Sequence, residues 1–123
     1  MTPRTAARAL SATFLVTGVT HLVAPAFYEP LVPPALPGRQ RWWVYASGAA
    51  ELGCAAGLAA EATRRRAAEA SAVLLVAVFP GNAWMAWQWR HRAAPLRLAA
   101  VLRLPVQVPL VAWARYCGRA AQV

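Results

Sequence analysis

Four side chains in this 123-residue chain combine acid–base or hydrogen-bonding chemistry with strongly apolar surroundings: His21, Glu51, Asn82 and Arg103. Polar groups in such stretches are costly in lipid, so they face a bundle interior and find partners there. A carboxylate and a guanidinium isolated at depth would each fare far worse than a matched set, so a Glu51–Arg103 ion pair is the expected core. Neutral Asn82 and His21 can fill the remaining donors and acceptors. Gln107 lies one turn from Arg103 on the same helical face and joins the expected cluster, as Thr17 does beside His21 and Ser47 beside Glu51.

The elements that must position these groups are four apolar stretches. About 20 mostly apolar residues carry a helix across a bilayer. The stretches run over residues 7–27, 42–60, 70–89 and 96–116, and most of the charge lies in the connections between them. None alternates with a period of two, which argues against a transmembrane barrel. Ala and Leu dominate and suit helices. The third stretch has no polar stripe of the kind a soluble amphipathic helix needs. The expected fold is therefore all-α, a four-helix transmembrane bundle with short loops, forming a single domain over residues 1–123.

Composition agrees with that reading. Of all residues, 59% are hydrophobic and only 14% charged, against about a quarter charged in soluble domains. Disorder is excluded by the apolar content, and a disulfide-stapled miniprotein by having only Cys54 and Cys117. The net charge of +9 suits phosphate binding in principle. The arginines flank apolar spans, however, and do not line one helix face. They read as loop ends near lipid headgroups, so the bilayer is the expected partner and nucleic acid is not.

Seven arginines (4, 8, 64, 65, 66, 115 and 119) fall on the side of the termini and five (39, 41, 90, 92 and 97) on the other. The excess places both termini in the cytoplasm of a multi-pass cell-membrane protein. Trp42, Trp43, Trp87 and Trp89 gather at the opposite face as interfacial anchors. Arg4, Arg8 and an apolar run ending in Ala24-Pro25-Ala26 also imitate a signal peptide. Thr17, Thr20 and His21 interrupt that run and Pro25 occupies the cleavage motif, so a retained first helix is expected.

Counting inward from the face that holds residues 28–41, Glu51 lies eight residues from Trp43, Arg103 seven from Leu96, Asn82 seven from Trp89 and His21 six from Phe27. At 1.5 Å per residue all four sit roughly 9–12 Å deep. Two readings stand side by side: a network that fixes helix register, or a site for a small molecule. Pro80 frees the carbonyl of Val76, Gly81 follows it, and Pro105 and Pro109 act likewise in the fourth stretch. Gly53 and Gly57 form a GxxxG pattern suited to close helix contact. The Pro-rich segment 29–38 is expected to be stiff and extended, as a spacer or as a lid over the cluster.

The chemical inventory is short. There is no CxxC, no P-loop and no GxGxxG. Asp is absent, so no Ser/His/Asp triad exists. His21 and His91 fall on an inner position and a loop, which is poor for a metal or haem pair, and neither a metal nor another cofactor is expected. Cys54 and Cys117 lie at different depths and are not expected to bond.

Six pieces, in order, resemble the small DoxX-like membrane proteins over nearly the whole chain. They are Gly18-Val-Thr-His21 with Pro25 and Phe27-Tyr28; Val32-Pro-Pro-Ala-Leu-Pro37; Val44-Tyr45, Ser47-Gly48 and Glu51-Leu52; Thr63-Arg64; Val78-Phe79-Pro80-x-Asn82 with Met85-Ala86; and Arg103-Leu104-Pro105-x-Gln107 with Trp113-Ala114. Gly81 stands where Ala is usual in that family. The resemblance implies a four-helix integral membrane protein, and relatives in other branches are linked to thiosulfate:quinone oxidation and membrane redox complexes. It supplies no defined reaction for His21, Glu51, Asn82 or Arg103. The leading expectation is an accessory or scaffold subunit whose polar cluster holds a small anionic or quinone-like molecule. The alternative is a membrane component of a quinone-linked oxidoreductase with a redox protein as partner. A small transporter ranks third, since four short helices without an evident repeat fit that class poorly.

Overall fold

The computed structural model describes residues 1–119, and all regular structure among the described residues is helical. Five helices carry it: α1 (Pro3–Val23), α2 (Gln40–Ala59), α3 (Arg64–Ala77), α4 (Phe79–Gln88) and α5 (Ala94–Cys117). Three segments are long and apolar enough to cross a membrane: Pro3–Val23, Arg64–His91 and Ala94–Cys117. The middle one joins α3, α4 and a 3-10 turn at Trp89–His91 into 28 residues. α2, of 20 residues, is not among them, because Ser47, Glu51 and three glycines dilute its apolar content.

Helix limits follow local chemistry. Thr2 caps α1, its hydroxyl accepting the Thr5 amide proton at 3.2 Å, and Pro3 occupies the first turn, where an N–H is dispensable. α1 stops at Val23, short of the expected residue 27. Pro25 disfavours helical backbone at the residue before it, and Ala24 turns out at φ −134°, ψ 54°. A one-turn helix, Pro25–Tyr28, and a 3-10 turn, Glu29–Leu31, follow. The expected helix over 70–89 instead starts at Arg64 and breaks at Val78. Pro80 has no amide proton to continue the ladder.

That break exposes backbone oxygens inside the protein, and the side chain of Gln107 meets one of them. Its Nε2 donates to the Leu75 carbonyl, and Gln107 is only 8% exposed. A buried carbonyl robbed of its donor costs about 1–3 kcal/mol. Gln107→Leu should therefore lower stability by about 1.5 kcal/mol, read as an earlier thermal midpoint in detergent. An unchanged midpoint would show that the Leu75 carbonyl does not depend on this donor.

The core is divided along the bundle. Ala6, Ala7, Leu10 and Phe14 of α1 pack with Leu58, Ala68, Leu75, Ala114 and Cys117 at the end that holds the start of α1 and the end of α5. Small residues allow close contact there, and Trp113 Nε1 donates to the Ala6 carbonyl at 3.0 Å. Cys54 and Cys117 are both buried and free. The opposite half, reached by the ends of α1 and α4 and the starts of α2 and α5, contributes Gly18, Val44, Gly48 and Ala100 as the buried residues among those described. α4 buries none of its residues fully. The bundle's outer surface is apolar, with Val16, Phe27, Val73, Leu102 and Val108 all exposed.

The tight contact between α1 and α2 is not where the GxxxG pattern put it. A Cβ on Gly53 would meet nothing within 4 Å. A Cβ on Gly48 would lie 2.8 Å from the His21 Cβ and 3.1 Å from the Gly18 carbonyl oxygen. Gly57 does pack closely, but on Ala67 of α3, where an added Cβ would sit 2.6 Å away.

Candidate functional site

The Gly18–Gly48 approach brings the last turn of α1 against α2 and so delivers His21 to Glu51. Their Nδ1 and Oε2 atoms are 3.4 Å apart, and the side chains are 14% and 13% exposed. His21 Nδ1 lies closer still, 2.6 Å, to the main-chain oxygen of Thr17. A carbonyl can only accept, so the proton belongs on Nδ1 and points at Thr17, a tautomer assigned from this geometry. Glu51 Oε2 is left buried without a hydrogen-bond partner.

Tyr28 completes the setting of His21. Its ring stacks on the imidazole with centroids 3.8 Å apart and planes 14° from parallel. The Tyr28 hydroxyl is 2.8 Å from Thr20 Oγ1, on the residue just before His21 in α1. The turn imposed by Pro25 is what folds Tyr28 back over the helix it has just left.

Arg103 and Asn82 come from the other side. Arg103 projects from α5, and its NH1 reaches Gln107 Oε1 at 3.5 Å within the same helix. The expected Glu51–Arg103 ion pair is not formed: among the described residues, Glu51 pairs with His21 and Arg103 has no carboxylate within reach. The physical reason is geometric. The Gly18–Gly48 contact sets His21 against Glu51, while Gln107 holds Arg103 along its own helix. Asn82 stands in the first turn of α4, just after the Pro80 break, and its Nδ2 is buried without a partner.

These groups share one cavity of about 430 Å³. His21, Glu51, Asn82 and Arg103 all line it, with Thr17 and Ser47. Gln107 does not. It sits one turn behind Arg103 and serves the backbone of α3. The remaining wall is apolar and includes Val44, Ala77 and Val78. Such a volume lies within the range of small-molecule pockets, about 300–1,000 Å³.

The Pro-rich segment also lines the cavity, through Leu31, Val32, Pro33 and Leu36. It is tied down at several points. Gln40 Nε2 donates to the Val32 carbonyl at 3.3 Å, Trp43 Nε1 donates to the Pro37 carbonyl at 2.7 Å, and Glu29 pairs with Arg41. Gly38, at φ +85°, turns the segment into α2, a conformation other residues rarely adopt. The segment thus forms a fixed part of the cavity wall.

Two residues that matter here escaped the sequence reasoning. Tyr28 carried no signal beyond its aromatic ring near a proline turn. Arg64 read as a solvated loop charge, yet it is 5% exposed. Its Nε donates to the Leu58 carbonyl at 2.8 Å and its NH2 to the Ala59 carbonyl at 3.2 Å. It thus closes the C-terminal end of α2, where a cation also meets the negative end of the helix dipole.

Residues 10–117 match the model of a family described as a domain of unknown function, DUF8561. No curated protein and no solved structure matches the chain.

Proposed function

The chain belongs to the DUF8561 family, and from that premise and the polar cavity we propose that it is an accessory membrane subunit that holds a small oxygen-bearing ring compound, quinone-like in its chemistry. In this reading α3 and α4 count as one interrupted span. With α1, α2 and α5 they make a four-helix transmembrane bundle of the DoxX-like type in the cell membrane. The seven-to-five arginine excess puts Pro3 and Cys117 on the cytoplasmic side. Of the residues that carry the DoxX-like resemblance, His21, Glu51, Asn82 and Arg103 line the cavity, which supports the reading.

One observation carries it. A cavity of about 430 Å³ holds two buried polar atoms without partners, the donor Asn82 Nδ2 and the acceptor Glu51 Oε2, beside a guanidinium that no carboxylate neutralises. Unsatisfied buried groups cost about 1–3 kcal/mol each, and a ligand that pairs with them recovers that cost. Asn82 and Arg103 suit a carbonyl or anionic oxygen. Glu51 suits a hydroxyl proton. The apolar walls suit a ring. The His21–Glu51 contact favours a second reading, in which a redox protein partner carries the electrons and this pair exchanges a proton with a ligand oxygen.

Decylubiquinone titrated into the detergent-purified protein tests the proposal. Trp43 lines the cavity, so saturable quenching of tryptophan emission is expected, and Trp43→Phe should remove most of it. Asn82→Leu or Arg103→Leu should weaken binding about tenfold, the equivalent of one lost hydrogen bond. Quenching that never saturates, or that is the same in Asn82→Leu, would overturn the assignment.

A further inference from the structure

A second hollow opens at the opposite end of the bundle, beside Met1 and Gly118, and nothing in the proposed function uses it. We propose that this cleft binds an anionic phospholipid, with the phosphate at its rim and the start of an acyl chain in its lower part. It encloses about 950 Å³ between α1, α3 and α5. Arg65, Arg115 and Arg119 all line it. Among the described residues none of the three is ion-paired. Among the described residues Glu69 is the one carboxylate lining it, so cationic charge prevails there.

On its α5 side the cleft grades from charged to apolar along its depth. Pro109, Ala112 and Trp113 line it with the arginines. Pro109 lies six residues before Arg115 on α5, roughly 9 Å further down the helix. A soluble anion would need the rim alone. An amphiphile with a charged head and an apolar tail uses both levels. Three segments long enough to span a membrane put this rim where lipid headgroups lie, and basic pockets between membrane helices suit such headgroups. Arginine at this level can lay its stem on apolar surface and keep its charge in the polar layer. The proposal stands independently of the polar cavity at the other end.

Native mass spectrometry of the detergent-purified chain with added phosphatidylglycerol or phosphatidylcholine tests it. Phosphatidylglycerol should bind about tenfold or more tightly than phosphatidylcholine. The triple variant R65Q/R115Q/R119Q should lose that preference. R90Q/R92Q, which removes charge from the opposite end, should keep it. Ala112 is exposed in the cleft, so Ala112→Trp fills the lower part with the charge intact and the core untouched, and it should also abolish tight binding. This variant decides the matter should the triple variant not fold. Inorganic phosphate at millimolar concentration should not displace the lipid. Equal binding of the two lipids, equal loss in the R90Q/R92Q control, full binding by Ala112→Trp, or displacement by phosphate would each overturn the proposal.

Discussion

Gly48→Ala is expected to destabilise the protein by about 2 kcal/mol, while Gly53→Ala, five residues further along the same helix, is expected to stabilise it by about 0.5–1 kcal/mol. The same methyl group meets opposite surroundings. At Gly48 it would sit 2.8 Å from the His21 Cβ and 3.1 Å from a main-chain oxygen, neither of which is the free end of a flexible side chain. α1 and α2 would have to separate. At Gly53 nothing lies within 4 Å, so only the helix propensity of Ala over Gly remains. Thermal unfolding of both variants in one detergent reads the difference directly. Because His21 reaches Glu51 only through this contact, Gly48→Ala should also weaken decylubiquinone binding, whereas Gly53→Ala should leave it unchanged. Two shifts of the same sign would remove Gly48 as the contact that sets the site.

Arg64→Ala is expected to cost about 3 kcal/mol, since hydrogen bonds from a charged donor contribute about 1.5–3 kcal/mol and two main-chain oxygens lose theirs. Leu58 and Ala59 lie in the last turn of α2, where no backbone amide follows to satisfy them. Arg64→Lys should recover only part of the loss, because an ammonium lacks the planar fork that spans both carbonyls. The neighbouring Arg65→Ala serves as reference. Arg65 is exposed and makes no ion pair among the described residues, so its removal should change stability by less than about 0.5 kcal/mol in lipid-free detergent. Equal midpoints for the Arg64 and Arg65 variants would return Arg64 to the class of solvated loop charges.

These two cases also mark where sequence reasoning succeeds and stops. Spacing along each helix fixes depth, because the rise per residue is constant. His21, Glu51, Asn82 and Arg103 share a depth by counting, and all four line one cavity. Spacing says much less about which neighbour a side chain meets across the bundle. The Glu51–Arg103 pair was expected from charge alone. The partner of Glu51 is decided by how closely α1 and α2 approach, which depends on Gly18 and Gly48 facing one another. The GxxxG pattern held only in part for the same reason: Gly57 packs on Ala67 while Gly53 points to open space, and a one-dimensional pattern carries no information on the facing helix. The limits of α5, Ala94–Cys117, fall within two residues of the expected 96–116. The end of α1 was missed where the proline acts one residue ahead of itself, as with Pro25 and Ala24. Arg64 was misread because a tight turn after Ala59 folds its side chain back on the helix before it.

The interruption at Val78 has a mechanical meaning. α3 is held in the densely packed half by Ala67, Ala68, Ser71 and Leu75, whereas α4 buries no residue fully. Moving α4 therefore disturbs few contacts, and the joint next to Pro80 already lacks an amide proton that a continuous rod would use. This ten-residue arm is therefore the wall of the chamber that burial anchors least.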